Sequence, residues 1–553
     1  MRLKIISSLE KCFLDENVSL KPAFSGVSML KNERYSFQIC YDMDPMDITQ
    51  RAIRYQVDSP LKEYISVYRV QNIPSVFPCY PDHYDENYLR TTPGLYPDLL
   101  QPVTEGDCLP LSTALQALWL EVAPEGKVSA GTYPVTVRIL EMENESNVLG
   151  EVTTSVEIID AELPAQELIF TQWFYPDCLQ QYYGTEMYSE EHWKIIENFM
   201  RNARKYGQNM ILTPLLSPEL DTYIGGYRPS TQLVDIALTN GKYSFDFTRL
   251  GRWVDLCNEI GIQYFEINHF FSQWGGYACP QVHAVVDGEA KRIFGWDTSS
   301  ESAEYAQFLG QLLPAFLAFM KSKDGADKRC YFHISDEPTL EHMDNYTRCS
   351  NLVKPLVEGY PIMDALSNYD FYEKGLVERP VPGVDHIQPF LDNNVENLWT
   401  YYCCMQREEV PNRFFAMPSA RNRIIGAQLY KFNIVGFLQW GYNFYNSRRS
   451  FHTVNPYICS DADAQFPSGD PYSVYPGENG TPWPSLRQLV FCEALQDLRA
   501  LKLCESLYGR QYTMELLEAG TTPITFFSYP KDADYLLNLR RRVNAAIRAK
   551  VSK

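Results

Sequence analysis

The segment LPAQELIFTQW, residues 163–173, marks the change of pattern that decides the fold. Leu163 and Pro164 end a region of strand-like alternation, and residues 167–173 begin a series in which strand-like runs alternate with stretches of helical period. This alternation is typical of βα units joined into a parallel sheet. The sequence therefore predicts an α/β fold after residue 163 and a different architecture before it.

The α/β region, residues 163–504, contains eight strand-like runs. Helical spacing connects them, as in Trp193, Ile196 and Met200, which fall on one helix face. Eight such repeats favour a catalytic (β/α)8 TIM-type barrel over an open doubly wound sheet. The sixth and seventh runs are too close for a full helix, so either that pair is wrongly assigned or one unit is degenerate. The predicted strands are 167–173, 208–213, 263–269, 329–335, 361–367, 385–390, 397–404 and 434–440.

The first 162 residues show a period of two. Tyr133, Val135, Val137 and Ile139 share one face of a run whose other face is more polar, which predicts an N-terminal antiparallel β-sandwich. Residues 76–102, rich in Pro, Tyr and Asp, are predicted to form a long loop that reaches another domain. Residues 505–553 are predicted to be a small C-terminal extension.

Composition excludes several classes of partner. The 553 residues carry a net charge of −20, which repels phosphate backbones and anionic lipids, so neither nucleic acid nor membrane is expected as a partner. The N-terminus shows no export signal, since Lys4 and Glu10 interrupt its apolar patch, and a cytoplasmic location is predicted. The spacing of Cys and His predicts no metal, and no cofactor is expected. A homo-oligomer is left open.

The strongest candidate for chemistry follows the fourth predicted strand. HISDEP, residues 333–338, places Asp336 and Glu337 at the carboxyl end of that strand, where (β/α)8 barrels have their active sites. Neighbouring carboxyl groups raise one pKa, so a neutral acid can stand beside a carboxylate. The alternative is a helix start, with Asp336 as the N-cap and Pro338 in the first turn. Position at the strand end favours the active site.

Aromatic side chains follow other predicted strands. Rings with a few amides and carboxylates are typical of a carbohydrate pocket. Each ring alone fits a core better than a site, and only their coincidence at strand ends favours function. The loop at 441–484 adds two candidates, because long loops commonly carry binding residues. No GxSxG or HExxH motif is present, which leaves hydrolysis by carboxyl groups. The predicted substrate-binding residues are His269, Trp274, Tyr401, Trp440, Asn443, Asp470 and Tyr475.

Several motifs resemble a known family. FDFTRLGRWVDLCNEIGIQYFEINHFFSQWGG (245–276), IFGWDT (293–298), YFHISDEP (331–338), GFLQWGYNFYN (436–446) and FPSGDPYSVYPG (466–477) resemble proteins of domain of unknown function 4091. That group is similar to glycoside hydrolase family 123, the β-N-acetylgalactosaminidases. The resemblance extends from the N-terminal region to about residue 500.

The resemblance implies hydrolysis of a small carbohydrate, a terminal β-linked N-acetylhexosaminide. It implies a retaining, substrate-assisted mechanism in which the sugar's 2-acetamido oxygen attacks C1, an exception to the two-carboxylate scheme. Glu337 then matches the general acid and base, and Asp336 the residue that orients the acetamido group. His269, Trp440 and Asn443 lie in matching segments and are expected to contact the sugar.

Three alternatives stay open at this stage. The substrate could be a β-N-acetylglucosaminide, or the enzyme could be another β-glycosidase with Glu266 or Asp364 as a separate nucleophile. The protein could also be a non-catalytic glycan-binding protein. In addition, neighbouring side chains of an extended strand point to opposite faces, so the backbone at 336–337 must turn if both carboxyls serve one sugar.

Overall fold

A computed structural model of the chain describes residues 1–44, 46, 51–144 and 146–551. Within these residues the protein is a mixed α/β structure. The N-terminal part is built of β-strands, and strands alternate with helices from residue 169 onward. The last two residues of the predicted extension 505–553 lie outside the described residues.

The N-terminal part contains two five-stranded sheets. Buried side chains from both sheets form one cluster, which includes Phe37 and Leu118 of the first sheet and Tyr55 and Val137 of the second. The period of two is confirmed here, since Val135, Val137 and Ile139 are all buried. The first sheet has the order Arg2–Ser7, Tyr35–Asp42, Gln116–Val122, Ile65–Ser75 and Gly94–Pro102, and the second Val27–Leu30, Val148–Ile159, Gly131–Glu141, Arg51–Asp58 and Leu109–Leu111.

One pair of these strands departs from the predicted antiparallel pattern. Val27–Leu30 runs parallel to Val148–Ile159. The reason is topological, because the chain crosses to the other sheet after Leu30 and returns to pair with Val27–Leu30 only at the end of the region.

The predicted loop at 76–102 is partly a strand. Gly94–Pro102 pairs with Ile65–Ser75, so that portion of the prediction is wrong. The remainder does extend to the α/β region, as predicted. There Asp85 accepts a hydrogen bond of 2.7 Å from the buried guanidinium of Arg421, and the Tyr88 hydroxyl donates to the carbonyl of Arg407 at 2.8 Å.

The α/β region is organised around parallel strands. Six form one sheet, and Met363–Ala365 pairs in parallel with Arg379–Val381 as a separate sheet. Single parallel bridges, Phe332 to Ile362 and Gly383 to Tyr401, connect this pair to the two edges of the larger sheet. The order in the larger sheet is Cys330–His333, Tyr264–His269, Met210–Thr213, Ile169–Gln172, Gly436–Gln439 and Trp399–Tyr401.

Seven of these strands lie inside predicted runs, and the sixth prediction is wrong. The last three of residues 385–390 begin the short helix Gln388–Asp392, and the sixth strand is Arg379–Val381. Ile387 and Phe390 are buried three residues apart, which is helical spacing. The true strand is only three residues long and contains a proline, so it shows no alternation that a sequence pattern could reveal.

The helices that pack beside these strands use the predicted faces. Trp193, Ile196 and Met200 are buried on the helix Glu190–Lys205, which Ser189 caps at its N-terminus. Within the described ranges, no helix combines the length and apolar character that crossing a bilayer requires. The remaining helices are Pro176–Tyr183, Thr248–Ile260, Ala303–Ser322, Met343–Val353, Asp370–Glu373, Ser419–Arg423, Ile425–Lys431, Leu486–Tyr508, Arg510–Leu517 and Ala533–Val551.

Further short strands lie in the connections. Two strands after the second parallel strand and two after the third form one four-stranded sheet, and a two-stranded hairpin lies in the loop after the last parallel strand. These strands are Asp235–Thr239, Lys242–Asp246, Val282–Val286, Glu289–Phe294, Val474–Pro476 and Pro482–Pro484.

Candidate active site

The backbone turns sharply at the carboxyl pair. Glu337 has a φ of +44°, the left-handed region that a residue other than glycine adopts only when surrounding contacts hold it there. Two backbone hydrogen bonds fix the turn: the Glu337 N–H donates to the carbonyl of Ala365 at 3.0 Å, and the Trp274 N–H donates to that of Asp336 at 2.8 Å. Both carboxyl groups consequently line one cavity, which an extended strand would not allow.

The helix-cap alternative for Asp336 is wrong. The next helical turn is Leu340–His342, and its N-cap is Thr339. The strand Cys330–His333 ends three residues before Asp336, so the carboxyl pair belongs to the loop between these two elements.

The cavity at this turn has a volume of about 380 Å³, which lies in the range of small-molecule sites. It lies at the carboxyl ends of several parallel strands, because Trp173, Tyr401 and Trp440 occupy or directly follow strand ends. Its walls combine aromatic rings with charged and amide groups. The rings are Trp173, Tyr175, Trp274, Tyr401, Trp440 and Phe466, and the polar residues are Asp221, Gln273, Asp336, Glu337, Arg448 and Arg449.

Burial raises the pKa of both carboxyl groups above their ordinary values. The negative charge of Glu337 raises the pKa of Asp336 further, while the charge of His333 opposes that rise. At Glu337 the Tyr401 hydroxyl donates to Oε1 at 2.6 Å and opposes the rise, whereas the charge of Asp385 adds to it. The pair therefore holds one proton at a higher pH than isolated carboxyls would, which is the state a proton donor beside a carboxylate needs.

His333 lies between two buried carboxylates. Its Nε2 is 2.9 Å from Glu266 Oε1 and its Nδ1 is 2.8 Å from Asp364 Oδ1. Because both ring nitrogens face acceptors, the ring carries two protons and a positive charge. Burial by itself would lower the pKa of His333, but the two carboxylates outweigh this effect and raise it to about 9.

The partners of His333 are fully buried and make further hydrogen bonds. Glu266 accepts from the Trp173 indole at 2.6 Å, and Asp364 accepts from the Tyr346 hydroxyl at 2.5 Å. Burial raises the pKa of Asp364, but the bonds from His333 and Tyr346 oppose the rise and favour the carboxylate. In the part of the chain that the structure describes, neither Glu266 nor Asp364 lines the cavity.

His269 is buried beside the cavity wall. Its ring stacks on His333 at a centroid distance of 4.1 Å, and neither ring nitrogen has a hydrogen-bond partner among the described residues. Burial and the charge of His333 lower the pKa of His269, so its ring is neutral. Potential metal-ligand atoms of His269, His333 and Asp364 lie within 4.8 Å of one another. Both nitrogens of His333 already face carboxylates, so a cation would have to displace a proton there.

Three of the predicted binding residues reach the cavity. Trp274, Tyr401 and Trp440 line it, and the Trp440 indole donates to Asp470 Oδ2 at 2.9 Å. Trp274 has a φ of +57° and is 38% exposed, so its ring stands at the rim.

The other predicted residues are buried away from the cavity. The Asn443 amide bonds both the N–H and the carbonyl of Tyr175, each at 2.9 Å, and so fixes a residue that does line the cavity. The Asp470 carboxyl accepts a hydrogen bond from the Trp440 indole, and burial raises the pKa of Asp470 to about 7. The Tyr475 hydroxyl donates to Asp98 at 2.5 Å. None of these three residues lines the cavity, and their contact with a sugar stays a prediction.

Two loops supply cavity residues that the sequence analysis missed. Asp221 lies in the loop after Met210–Thr213, and Arg448 and Arg449 lie in the loop after Gly436–Gln439. Asp221 Oδ2 accepts the Arg449 N–H at 3.0 Å, and burial raises the pKa of Asp221 to about 6. The signal available in the sequence was the length of these loops after strand ends, which does not single out residues.

Comparison with known proteins defines the class. Residues 173–504, more than half of the chain, match the family model described as glycoside hydrolase 123, catalytic domain. The chain therefore belongs to glycoside hydrolase family 123, and its class is that of the glycosidases. A search of curated protein sequences gave no significant match.

One solved structure shares the fold over the whole chain. The chain is similar to a family 123 glycoside hydrolase from Clostridium perfringens, with a TM-score of 0.75 at 14% identity, over 100% of this chain and 98% of the other. Two further structures overlap far less. They are a β-glucuronidase from Parabacteroides merdae (TM-score 0.29, 10% identity, 86% of this chain and 51% of the other) and a family 5 mannosidase from Rhizomucor miehei (0.33, 13%, 60% and 95%).

Proposed function

We propose that this glycosidase releases terminal β-linked N-acetylgalactosamine with retention of configuration, using the 2-acetamido group of the substrate as the nucleophile. One observation carries the proposal: Asp336 and Glu337 are adjacent in sequence and line the same aromatic-walled cavity. Family membership supports glycoside hydrolysis. The similar clostridial enzyme was analysed for the hydrolysis of glycolipid glycans, which supports a glycan as the substrate class here.

In the proposed first step Glu337 donates its proton to the glycosidic oxygen while the acetamido oxygen attacks C1. The bond from C1 to the leaving oxygen breaks, and an oxazolinium ion forms. The Asp336 carboxylate accepts a hydrogen bond from the acetamido N–H and stabilises the developing positive charge. Burial and the charge of Glu337 raise the pKa of Asp336, and the charge of His333 opposes this rise without cancelling it.

In the second step water attacks C1 from the face that the leaving group vacated. The Glu337 carboxylate takes the proton of that water, the oxazolinium ring opens and the β-configured sugar is released. No protein nucleophile is needed across the ring, which is why two neighbouring carboxyls suffice.

The proposed architecture has three parts. Eight parallel strands connected by bridges at Phe332 and Gly383 support one closed (β/α)8 barrel over residues 163–504. The shared cluster of buried side chains supports a sandwich of the two N-terminal sheets over residues 1–162. The proposed small extension covers residues 505–553.

A protein nucleophile is the second candidate mechanism. Glu266 and Asp364 are poorly suited to it, because His333 and further donors occupy their oxygens. Asp221 is better placed, since it is a carboxyl group that lines the cavity. A glycosidase that uses Asp221 would cleave sugars that lack the acetamido group.

The test compares p-nitrophenyl β-glycosides of N-acetylgalactosamine, N-acetylglucosamine and galactose. We expect turnover of acetamido sugars only, and a loss of about 10²–10⁴-fold in Glu337→Gln. Asp336→Asn is expected to lose a similar factor, and Asp221→Asn much less. Cleavage of the galactoside together with collapse of Asp221→Asn would establish the second mechanism. Binding without turnover of any sugar would indicate a glycan-binding protein.

A further inference from the structure

A separate pocket lies at the amino ends of the parallel strands, where the N-terminal part of the chain meets the α/β region. Its volume is about 250 Å³. Gln166, Asn209 and Gln263, which line it, each precede a parallel strand, and the helix Leu486–Tyr508 forms another wall. The active-site cavity lies at the carboxyl ends of the same sheet and shares no lining residue with this pocket.

The charge of this pocket is positive. Among the described residues that line it there are four cationic side chains and no carboxyl group. Two of the cations have carboxylate partners outside the lining: the buried Glu121 accepts from Lys205 at 3.3 Å and lies 3.7 Å from Arg34, and Glu125 accepts from Arg34 at 2.9 Å. We call this site the basic pocket, and its cations are Arg34, Arg204, Lys205 and Arg499.

The other two cations have no carboxylate partner in the part of the chain that the structure describes. The Arg204 guanidinium makes no hydrogen bond or ion pair there. Arg499 donates to the carbonyls of Pro164 at 2.7 Å and Leu163 at 3.4 Å. The basic pocket therefore contains two guanidinium charges without a counterion.

These two charges are costly to keep together. Burial lowers the pKa of both guanidinium groups, and the charge of Arg204 lowers that of Arg499 further. Glu33 has the opposite effect on Arg499, but it is itself paired with Arg540 at 2.6 Å. Arginine keeps its charge in proteins, so a bound anion is the means by which this repulsion can be offset. The whole chain carries a net charge of −20, so its composition does not account for a local excess of positive charge.

We propose that the basic pocket binds a small oxyanion of the phosphate class, either free phosphate or the phosphate group of a small monoester. Phosphate carries up to two negative charges, which match the two unpaired guanidinium groups, and its oxygens can accept from both. The volume lies below the range of about 300–1,000 Å³ that is typical of larger ligands, which favours a small ion over a nucleotide. This site is independent of the proposed glycosidase mechanism.

The experiment measures binding of inorganic phosphate and of glycerol 3-phosphate to the full chain by isothermal titration calorimetry at constant ionic strength. We expect one site per chain, and a Kd at least about tenfold higher in Arg204→Gln, since a charge-assisted hydrogen bond is lost. The matched control is Arg201→Gln, an exposed arginine on the same helix that already pairs with Glu197 outside the basic pocket. Tighter binding of glycerol 3-phosphate would identify a monoester as the ligand, and tighter binding of phosphate the free ion.

Thermal unfolding distinguishes a binding role of Arg204 from a structural one. Without phosphate, Arg204→Gln should unfold at a Tm no lower than that of Arg201→Gln, because Arg204 has no bond to lose and repels Arg499. Phosphate should raise the Tm of the wild type and of Arg201→Gln and leave that of Arg204→Gln nearly unchanged. The inference is overturned if the wild type binds no phosphate, if acetate binds equally well, or if Arg204→Gln keeps the wild-type Kd.

Discussion

Two pairs of carboxyl groups, Asp336 with Glu337 and Glu266 with Asp364, have different surroundings. Asp336 and Glu337 line an open cavity, and burial together with mutual repulsion raises the pKa of Asp336. Glu266 and Asp364 are fully buried and share the charged ring of His333. The same type of side chain therefore lines an open cavity in one place and is hydrogen-bonded to a buried charged ring in the other.

The difference shows what burial does to a carboxyl group. Without a contacting cation, burial favours the protonated form, and the group can donate a proton. With a cation and several donors, the carboxylate is retained and its oxygens are occupied. His333 links the two sites, because it bonds the second pair directly and its charge lowers the pKa of Asp336 in the first.

The largest expected effect is on catalysis by the open pair. Glu337→Gln should lower kcat by about 10²–10⁴-fold, since it removes the proton donor. Its free energy of unfolding should stay within about 1 kcal/mol of the wild type, because a partly buried carboxyl is replaced by its neutral isostere. Turnover assays and urea unfolding measure both quantities. Glu341→Gln, an exposed glutamate four residues on, is the control. Near-wild-type turnover in Glu337→Gln would show that Glu337 is not the general acid.

At the buried pair, Glu266 and Asp364, the main expected effect is on the free energy of unfolding. His333→Leu leaves Glu266 and Asp364 without their cation and should lower the free energy of unfolding by about 3–5 kcal/mol. His283→Leu, at an exposed position, should change it by less than about 0.5 kcal/mol. Urea unfolding at pH 7 compares the two. A loss below about 1 kcal/mol in His333→Leu would show that the buried pair needs no charged partner.

The stability of the buried pair should depend on pH. The pKa of His333 is raised to about 9 in the folded state, against about 6.5 when unfolded. Its stabilisation is therefore fully present below pH 6.5 and is lost as the pH rises through 9, by roughly 3 kcal/mol. Unfolding free energies measured from pH 6 to 9.5 should converge between the wild type and His333→Leu. A difference that stays constant over this range would contradict a charged His333.

The smallest expected effect is a shift in the pH profile of the open pair. The high-pH limb of kcat/KM reports the acid of the free enzyme. Tyr401→Phe removes a bond that lowers the pKa of Glu337 and should move this limb up, while Asp385→Asn removes a charge that raises it and should move the limb down. Shifts of about half a unit to one unit are expected with the nitrophenyl substrate. Shifts of the two variants in the same direction would contradict the assignment of Glu337.

Prediction from the sequence succeeded for elements that consecutive residues define and failed for those that depend on distant parts of the chain. Seven parallel strands fall inside predicted runs, because a buried strand carries its apolar pattern in consecutive residues. The strand Arg379–Val381 was not predicted, because three residues that include a proline show no alternation of apolar and polar side chains. The parallel pairing of Val27–Leu30 with Val148–Ile159 was not predicted either, since it joins residues more than a hundred positions apart.

The cavity was predictable where it follows strand ends. Trp274, Tyr401 and Trp440 were found in this way, together with Asp336 and Glu337. Their roles stay predictions until the variants are measured. Asn443, Asp470 and Tyr475 share the same aromatic-rich segments, but the structure buries them against Tyr175, Trp440 and Asp98.

The sequence by itself determined the change of architecture near residue 163, the family resemblance and the carboxyl pair after the fourth strand. Tertiary structure decided which side chains face the cavity, because burial depends on contacts from distant parts of the chain. It alone gave Glu337 the left-handed φ of +44° that aims both carboxyls into one space. It also brought Arg34, Arg204 and Arg499 to one pocket, an encounter that no local pattern encodes.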